Sequence, residues 1–429
     1  MDRLDLIGGQ PLRGTVAVGG AKNAALPAMT AALLTDQPVT LAGVPDVGDV
    51  RTMGRLLGTL GVGIARDADT LTLHTVDRQP HAADYQLVRQ MRASICVLGP
   101  LLARRGRARV ALPGGCQIGH RPVDRHLHAL AALGADIRLE RGDIVAEAST
   151  LRGATIDLSG PHGSTATGTC NALAAATLAR GRSVLTGAAR EPEVVDFGRL
   201  LTRLGGRVEG LGTGTIEVDG VESLHGTPEA HRIIPDRIEA LTLAMAAGMV
   251  DGSAITLAGV EASHLTEAAA LLTEMGLRQH HDAAGWHVAR RGELRPIEAT
   301  ATPYPGLPTD AQAQLTAVLT QADGTSSVAD AVFPERFGHV GELVRLGCVI
   351  TRTARGVVIT GPTAGSLVGC DVLASDLRAS AALVLAGLAA EGPTRVRRIY
   401  HLDRGYDHLE RKLAALGARI ERVRDEHPF

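Results

Sequence analysis

Aromatic residues are scarce in this chain of 429 residues, at 2% of the composition. Hydrophobic residues still make up 45% of it, so alanine, valine, leucine and isoleucine must fill the core. No basic tract is interleaved with aromatic residues, and the formal net charge is only -2. These features argue against a nucleic-acid partner. The length favours two or three domains over a single one.

Long hydrophobic runs are also lacking. No apolar run reaches the roughly 18 residues that a membrane-spanning helix requires, and no signal-peptide pattern is present, so we expect no membrane partner. Cysteine is infrequent as well: five cysteines stand at positions 96, 116, 170, 348 and 370, an odd number without close spacing. This pattern is typical of reduced thiols in the cytoplasm and not of a disulfide framework.

Lysine is nearly absent. Of the 44 basic residues only Lys22 and Lys412 are lysines, and arginine supplies the others. A lysine that persists in such a chain is either there by chance or marks a position where a compact ammonium is needed instead of a planar guanidinium.

A repeat organises the chain. Six apolar helical patterns each end in Leu-Gly or Met-Gly and continue into a strand-like segment, at intervals of 70 to 73 residues. A left-handed backbone is easily adopted by glycine, so each of these glycines is expected to end a helix. The six glycines are Gly61, Gly134, Gly205, Gly276, Gly347 and Gly417.

Each repeat also carries a second helical stretch that is rich in alanine and leucine, such as TCNALAAATLARG and SAALVLAGLAAEG. These stretches are apolar on nearly all sides, which predicts buried helices with amphipathic strands outside them. The predicted fold class is therefore α/β, with helices inside and strands outside. Six units divide into two domains of three: residues 22–232, and residues 1–21 with 233–429. The N-terminal strand is expected to be completed by the second half of the chain.

Two glycines precede Lys22 and Asn23, which open a predicted helix. An ammonium beside the N–H groups of a helix start favours an anion site. A simple helix start is the alternative interpretation.

Cys116 stands in the loop LPGGCQIGHRPVD. Glycines give this loop freedom to move, and His120 and Arg121 could lower the pKa of the thiol. The alternative is a packed, inert thiol, which the apolar surroundings favour for the other four cysteines. In this polar, glycine-rich loop we interpret Cys116 as reactive.

Three further segments carry charged residues next to helix starts. Asp310 follows two prolines and is either a helix cap or a carboxylate held as a general base. Asp376 and Arg378 precede a buried helix, and Arg404 follows an acidic residue; each alone is typical of a cap or a surface ion pair. Histidine pairs such as His126 with His128 do not complete a three-ligand metal set, so no metal is expected.

Together these segments resemble a known family. GGAKNAALP, LPGGCQIGHRPVDRHL, AAREPEVVD, YPGLPTDAQAQ, ASDLRAS and RIYHLDRGY, in this order and nearly end to end, closely resemble the UDP-N-acetylglucosamine 1-carboxyvinyltransferases (the MurA enolpyruvyltransferases), which are related to EPSP synthase. The resemblance implies two inside-out α/β barrel domains, each of three βαβαββ-like repeats, with the active site in the interdomain cleft.

The resemblance implies transfer of the enolpyruvyl group of phosphoenolpyruvate (PEP) to a hydroxyl of a uridine nucleotide, with release of phosphate and no cofactor. Cys116 would protonate C3 of PEP, Asp310 would be the base, and Lys22 would join them as a catalytic residue. PEP-binding residues would be Lys22, Arg121, Arg404 and Arg92. Acceptor-binding residues would be Asn23, Pro122, Val123, Asp124, Thr165, Thr167, Asp310 and Val332. Arg336, Asp376 and Arg378 would line the cleft.

One segment departs from the family pattern. The family's Ser-Val-Gly-Ala-Thr run, which wraps the uridine diphosphate, is here Thr165-Ala166-Thr167-Gly168-Thr169. Two acceptors therefore compete: UDP-N-acetylglucosamine, for peptidoglycan synthesis, and UMP, as in enolpyruvyltransferases of nucleoside-antibiotic pathways. The sugar nucleotide is favoured. A catalytically inactive regulatory relative is the alternative of another class, but it would be expected to lose Cys116, Asp310 or Lys22.

Overall fold

The computed structural model of the chain describes residues 2–112, 123–227, 229–362 and 367–425. Cys116, Arg121 and Pro122 lie outside the described residues.

Within that part, the strands are β1 (Asp2–Ile7), β2 (Arg13–Ala17), β3 (Val39–Ala42), β4 (Val62–Asp67), β5 (Thr70–Thr75), β6 (Arg107–Ala111), β7 (Asp136–Glu140), β8 (Asp143–Glu147), β9 (Thr155–Asp157), β10 (Arg182–Thr186), β11 (Arg207–Glu209), β12 (Thr215–Asp219), β13 (His231–Arg232), β14 (Ala254–Ala258), β15 (Arg278–Asp282), β16 (Gly285–Ala289), β17 (Glu298–Ala301), β18 (Thr325–Asp330), β19 (Val349–Arg352), β20 (Gly356–Thr360), β21 (Asp371–Leu373), β22 (Pro393–Arg397) and β23 (Arg419–Arg424).

The α-helices of the same part are α1 (Lys22–Thr30), α2 (Gly48–Thr59), α3 (Tyr85–Val88), α4 (Leu98–Arg105), α5 (Asp124–Ala132), α6 (Ala166–Thr177), α7 (Pro192–Arg203), α8 (Arg237–Met249), α9 (Thr266–Glu274), α10 (Gln312–Leu319), α11 (Val340–Arg345), α12 (Leu377–Ala389) and α13 (Leu409–Ala415). Short 3-10 helices span Ala31–Leu34, Arg92–Val97, Ala262–His264, Thr309–Ala311 and Leu402–Arg404. No helix in these described ranges is both long enough and apolar enough to cross a lipid bilayer.

The chain forms two compact units. In the described residues, the N-unit comprises 20–112 and 123–234, and the C-unit comprises 2–19 together with the residues from 235 onward. Within the described ranges, the chain passes from one unit to the other at residues 19–20 and 234–235. The domain bounds expected from the sequence stay a prediction.

The sheets of both units share one topology. The N-unit contains the sheets β13-β3-β5-β4, β9-β10-β12-β11 and β6-β8-β7, and the C-unit contains β2-β14-β16-β15, β17-β18-β20-β19 and β21-β22-β1-β23. In each four-stranded sheet the first two strands are parallel and the following pairs are antiparallel. A parallel bridge between Ala82 and Arg109 extends the three-stranded sheet in the same way.

The N-terminal strands complete sheets of the C-unit, as expected. β1 pairs antiparallel with both β22 and β23, with Leu4 opposite Val396 and Arg422. β2 pairs in parallel with β14. The last repeat therefore takes its third strand from the opposite end of the sequence.

The alanine- and leucine-rich helices are buried, which confirms the α/β prediction. Every residue of α8 and α10 is buried, and so is every residue of α12 except its last. These three helices pack on one another in the C-unit, while strands such as β14 and β18 alternate buried with more accessible residues. Small side chains allow such close helix packing without aromatic residues.

The repeat glycines end their helices as predicted. All six adopt positive φ, from 82° at Gly61 to 108° at Gly276. At Gly347 the N–H donates to Val344 O at 2.9 Å, and the following N–H, of Cys348, donates to Leu343 O at 3.2 Å. These are the two hydrogen bonds of a Schellman motif.

We expect Gly347→Ala to lower the free energy of unfolding by about 1 kcal/mol, because φ is 92° there and a left-handed backbone is unfavourable for alanine. A Cβ at this position meets no atom within 4 Å, so the backbone alone is tested. The matched control is Gly341→Ala in α11, where a Cβ also meets nothing but φ is not positive. Urea denaturation should show the control equal to or more stable than the wild type, and equal losses in both variants would contradict the assignment.

Candidate active site

The C-unit gathers three predicted residues into one ion-paired cluster. Asp310 lies in the 3-10 helix that precedes α10. Arg336 Nη1 lies 2.7 Å from its Oδ1, and Arg378 Nη2 lies 2.8 Å from its Oδ2. Arg378 is the second residue of α12 and is 2% exposed, and Arg336 is 7% exposed. One carboxylate between two guanidiniums leaves the cluster with a net positive charge.

The charge state of Asp310 follows from these contacts. Burial acts to raise its pKa, but the charges and hydrogen bonds of Arg378 and Arg336 outweigh burial and hold the pKa well below the usual range. Asp310 stands inside the 3-10 helix Thr309–Ala311, whose N-cap residue is Pro308, and the N-cap residue of α10 is Ala311. Asp310 is therefore at neither N-cap position, the lowered pKa favours its ionised form, and its role as a base stays a prediction.

Arg378 is held by the helices around it. Its guanidinium lies over the ring of Tyr406, 5.2 Å from the centroid. The Tyr406 hydroxyl lies 2.8 Å from Thr242 Oγ1 and accepts a bond from Gln314 Nε2 at 3.0 Å. Within the described residues, Nε and Nη1 of Arg378 and Nε of Arg336 are buried and have no hydrogen-bond partner. These buried N–H groups therefore leave part of the hydrogen-bonding capacity of the two guanidiniums unused.

Two other predicted residues flank this cluster. Asp376 is the N-cap of α12 and accepts from the N–H groups of Arg378 at 2.9 Å and Ala379 at 3.1 Å. It positions the helix start that carries Arg378. Val332 is half-buried, and its N–H donates to Asp330 Oδ1 at 2.9 Å.

Arg404 ends the 3-10 helix Leu402–Arg404 and is half-buried. The acidic residue before it, Asp403, binds Arg422, whose Nη2 donates to Asp403 Oδ1 at 2.6 Å.

In the N-unit, Lys22 is the first residue of α1 and is only 8% exposed. Its Nζ lies 2.7 Å from Oδ2 of Asp49, which is buried in the first turn of α2. The sequence did not identify Asp49, because nothing local distinguishes it from Asp46, whose carboxylate is exposed and binds Arg51. Asn23, the next residue of α1, is exposed.

Arg92 is the first residue of the 3-10 helix Arg92–Val97 and is half-buried. It lies in the N-unit, as Lys22 does.

A buried hydrogen-bond network supports Thr167. The Gly99 N–H donates to Asn171 Oδ1 at 2.7 Å, which fixes the amide orientation, and Asn171 Nδ2 donates to Ile95 O at 2.8 Å. The same Nδ2 lies 2.9 Å from His126 Nδ1. Because an amide nitrogen only donates, Nδ1 accepts, and the proton of the neutral imidazole is on Nε2. Nε2 lies 3.3 Å from Thr167 Oγ1, so this hydroxyl accepts that bond and keeps its own hydrogen for another partner.

Three other predicted acceptor residues lie at the starts of α5 and α6, the helices that carry His126 and Thr167. Thr165 is the N-cap of α6, and its hydroxyl accepts from the Gly168 N–H at 3.2 Å. Val123 is the N-cap residue of α5, and Asp124 is the first helical residue and is exposed. Since His126 joins α5 to Thr167 on α6, the network brings these two helix starts together.

The four described cysteines are free thiols. Burial raises the pKa of Cys96 and of Cys348 to about 12, and it also raises the pKa of Cys170 and Cys370. Thiols with raised pKa values are poor nucleophiles and poor acids at neutral pH, which agrees with the inert interpretation of these four. The reactivity of Cys116 stays a prediction.

Comparison with known proteins decides the family. The model of the EPSP synthase (3-phosphoshikimate 1-carboxyvinyltransferase) family matches residues 6–413. The chain belongs to this family. Individual relatives can also be compared. The UDP-N-acetylglucosamine 1-carboxyvinyltransferase of Anaeromyxobacter dehalogenans strain 2CP-1 is 50% identical to this chain, over 99% of this chain and 100% of the relative. The enzyme of the same name from Akkermansia muciniphila is 47% identical, with the same coverage.

Solved structures agree with this family membership. The enolpyruvyl transferase NikO of Streptomyces tendae matches with a TM-score of 0.87 and 29% identity, over 98% of this chain and 99% of that one. EPSP synthase of Acinetobacter baumannii matches with a TM-score of 0.76 at 19% identity, over 99% of this chain and 100% of that one, and supports the α/β fold. The family resemblance noted in the sequence is thereby confirmed.

Proposed function

We propose that this chain transfers the 1-carboxyvinyl (enolpyruvyl) group of PEP to the 3-hydroxyl of UDP-N-acetylglucosamine, with release of phosphate, in the synthesis of peptidoglycan precursors. The observation that carries this proposal is the 50% identity, over essentially the whole length, to enzymes named UDP-N-acetylglucosamine 1-carboxyvinyltransferase. The chain is a transferase of the 1-carboxyvinyl group, as its family membership indicates.

PEP is a small, multiply charged anion, so its site must supply cations. The Asp310 cluster carries an excess of positive charge, and its guanidiniums have buried N–H groups without a partner in the described part of the chain. We propose that Arg336 and Arg378 receive the PEP carboxylate there. The PEP phosphate would be bound by four further cationic side chains, which would balance its negative charge: Lys22, Arg92, Arg121 and Arg404.

Asp310 is proposed to accept the proton of the attacking hydroxyl. Its depressed pKa makes it a weak base while both guanidiniums hold it. Once a PEP carboxylate competes for those guanidiniums, the carboxylate of Asp310 becomes more basic. Protonation of C3 by Cys116 makes C2 cationic, and the attacking hydroxyl becomes acidic as it bonds to that carbon. Asp310 therefore has to accept a proton only late in the reaction, when the hydroxyl has begun to bond to C2, and a weak base is sufficient at that point.

The acceptor nucleotide is proposed to bind at the starts of α5 and α6. Thr167, held by His126, offers a hydroxyl hydrogen to an acceptor oxygen, and Thr165 offers another. The other proposed acceptor contacts are Asn23, Pro122, Val123, Asp124 and Val332. Thr165 and Thr167 stand in the segment that departs from the family pattern, so we propose that the acceptor contacts of this chain differ from those of the family there.

The finer fold assignment is also part of this proposal. We propose that the chain consists of two inside-out α/β barrels, 22–232 and 1–21 with 233–429, and that residues of both act on one pair of substrates. The free state of the described cysteines supports a reducing cytoplasm as the compartment.

The proposal is tested by phosphate release from PEP with UDP-N-acetylglucosamine, with UMP and without an acceptor. We expect release with the sugar nucleotide and at least about 100-fold less with UMP, since the remote part of the true acceptor contributes binding energy to the transition state. Cys116→Ser is the control for the thiol, and its phosphate release with UDP-N-acetylglucosamine should be lower than that of the wild type by a similar factor of about 100.

Release with UMP but not with UDP-N-acetylglucosamine would replace the proposed acceptor by the one of nucleoside-antibiotic pathways. No release with either nucleotide would support a catalytically inactive relative.

A further inference from the structure

The hairpin of β15 and β16 carries three potential metal ligands on one face. His280 of β15 lies directly opposite His287 of β16 in the antiparallel register, and Asp282 is two residues after His280. Side chains two apart along a strand share a face, as do directly opposed pairs. The neighbouring His281 faces the other side of the sheet, where it stacks on the buried Trp286.

The ligand atoms of these three residues lie close together. One nitrogen of each imidazole and one carboxylate oxygen fall within 4.8 Å of one another. His287 Nε2 lies 2.8 Å from Asp282 Oδ1, and His280 Nε2 lies 3.9 Å from Asp282 Oδ2. The two imidazole rings are parallel, with centroids 4.3 Å apart. His280 is exposed, so its side chain can move the short distance that coordination requires.

Two of the three ligands are already oriented by neighbours. Thr256 of β14, opposite His287 in register, places its Oγ1 3.0 Å from His287 Nδ1. This contact directs Nε2 toward the carboxylate. Asp282 Oδ1 accepts from the Ala284 N–H of the turn at 2.8 Å. Outer contacts of this kind raise the affinity of metal sites by fixing the ligands in place.

We propose that His280, Asp282 and His287 bind a divalent transition-metal ion of the Zn²⁺ type on the surface of the C-unit. Imidazole and carboxylate ligands favour such ions over Mg²⁺, which prefers oxygen ligands alone. In the metal-free hairpin the Nε2 proton of His287 is donated to Asp282. On binding, that proton moves to Nδ1 through solvent and is donated to Thr256 Oγ1, which can accept as well as donate. The ion takes the freed Nε2 lone pair, and the imidazole stays neutral.

The bound ion would link the edge strand β15 to its neighbour β16. It has no part in the enolpyruvyl transfer proposed above, for which no metal is required, so its presence or absence can be tested independently of that reaction.

The test is titration of the full-length protein, without a polyhistidine tag, with Zn²⁺ by calorimetry. We expect one Zn²⁺ site per chain in the wild type. His287→Ala and His280→Ala should each lower the affinity of this site for Zn²⁺ by at least about 100-fold. Thr256→Val should lower the affinity by about 10-fold, as expected for an outer contact. His281→Ala is the matched control and should bind as the wild type does, because His281 faces away from the site.

A second measurement is the visible absorption of Co²⁺ added in place of Zn²⁺, which reports nitrogen coordination and should disappear with His287→Ala. Equal Zn²⁺ affinity in the wild type and His287→Ala would overturn the proposal, as would loss in His281→Ala alone. Binding only at millimolar Zn²⁺ would also overturn it. All of these variants are altered at accessible positions. Their midpoint temperatures of thermal unfolding without metal should therefore equal that of the wild type, which would exclude loss of fold as the cause of weaker binding.

Discussion

Asp310→Asn is expected to lower kcat by about 10³-fold with UDP-N-acetylglucosamine as acceptor, within the range that loss of a general base produces. Asparagine keeps the size of the side chain and can still accept from Arg336 or Arg378, but it cannot take up a proton at neutral pH. The net charge of the cluster also rises by one, so PEP should bind no more weakly than in the wild type. Steady-state kinetics should therefore show the loss in kcat and not in the KM for PEP.

The control for Asp310 is Asp371→Asn in the same unit. Asp371 also lies between two arginines, with Arg397 Nη2 at 2.9 Å and Arg395 Nη1 at 3.3 Å, but its side chain is 42% exposed. We expect its turnover to equal that of the wild type. An unchanged kcat in Asp310→Asn, or equal losses in both variants, would show that Asp310 is not the base.

The pH dependence gives a further check on Asp310. Because its folded-state pKa is lowered, the carboxylate is ionised above its ordinary value of about 3.9 and is protonated only at more acidic pH. Any acid limb in kcat/KM of the free enzyme above about pH 5 must therefore come from another group. The limb should persist in Asp310→Asn.

Lys22→Arg is expected to lower kcat/KM for PEP by at least about 100-fold although the charge is kept. The Lys22 side chain is 10% exposed, and its Nζ lies 2.7 Å from Asp49 Oδ2. A guanidinium is larger and planar, and it cannot replace a compact charge in a close-packed site without moving its neighbours. Kinetics at varied PEP measure this loss.

The chain contains its own matched control in Lys412, the only other lysine of the sequence. Lys412 Nζ donates to Glu239 at 2.6 Å, and its side chain is 20% exposed, twice the fraction of Lys22. Lys412→Arg should keep wild-type turnover. Wild-type kinetics in Lys22→Arg would show that this position needs a positive charge and not an ammonium.

Much of the fold could be predicted from the sequence because its signals are local. The glycines at intervals of 70 to 73 residues end helices through their own backbone conformation, and all six have positive φ. The apolar stretches of α8, α10 and α12 are buried on every side. The parallel pairing of β2 with β14 brings together residues more than 200 positions apart, and its register depends on packing that no local pattern encodes.

The candidate site was predictable only in part, for the same reason. Asp310, Arg336 and Arg378 were named individually, but their pairing joins positions 26 and 68 residues apart. Asp49, the partner of Lys22, was missed because many surface aspartates have the same local sequence environment. Asn171 was missed because a polar residue inside an alanine-rich helix is recognised as functional only once its hydrogen bonds are known. His280, Asp282 and His287 become a set only through the register of the hairpin.

The central claim is that an exchangeable acid protonates C3 of PEP before the 3-hydroxyl of UDP-N-acetylglucosamine attacks C2. The most direct measurement is the NMR spectrum of the product formed in D2O. The account predicts a carboxyvinyl ether at the 3-hydroxyl with deuterium in its vinyl methylene, because C3 passes through a methyl group that has gained one deuteron from the solvent-exchanged acid. A carboxyvinyl product without deuterium at that carbon would contradict it.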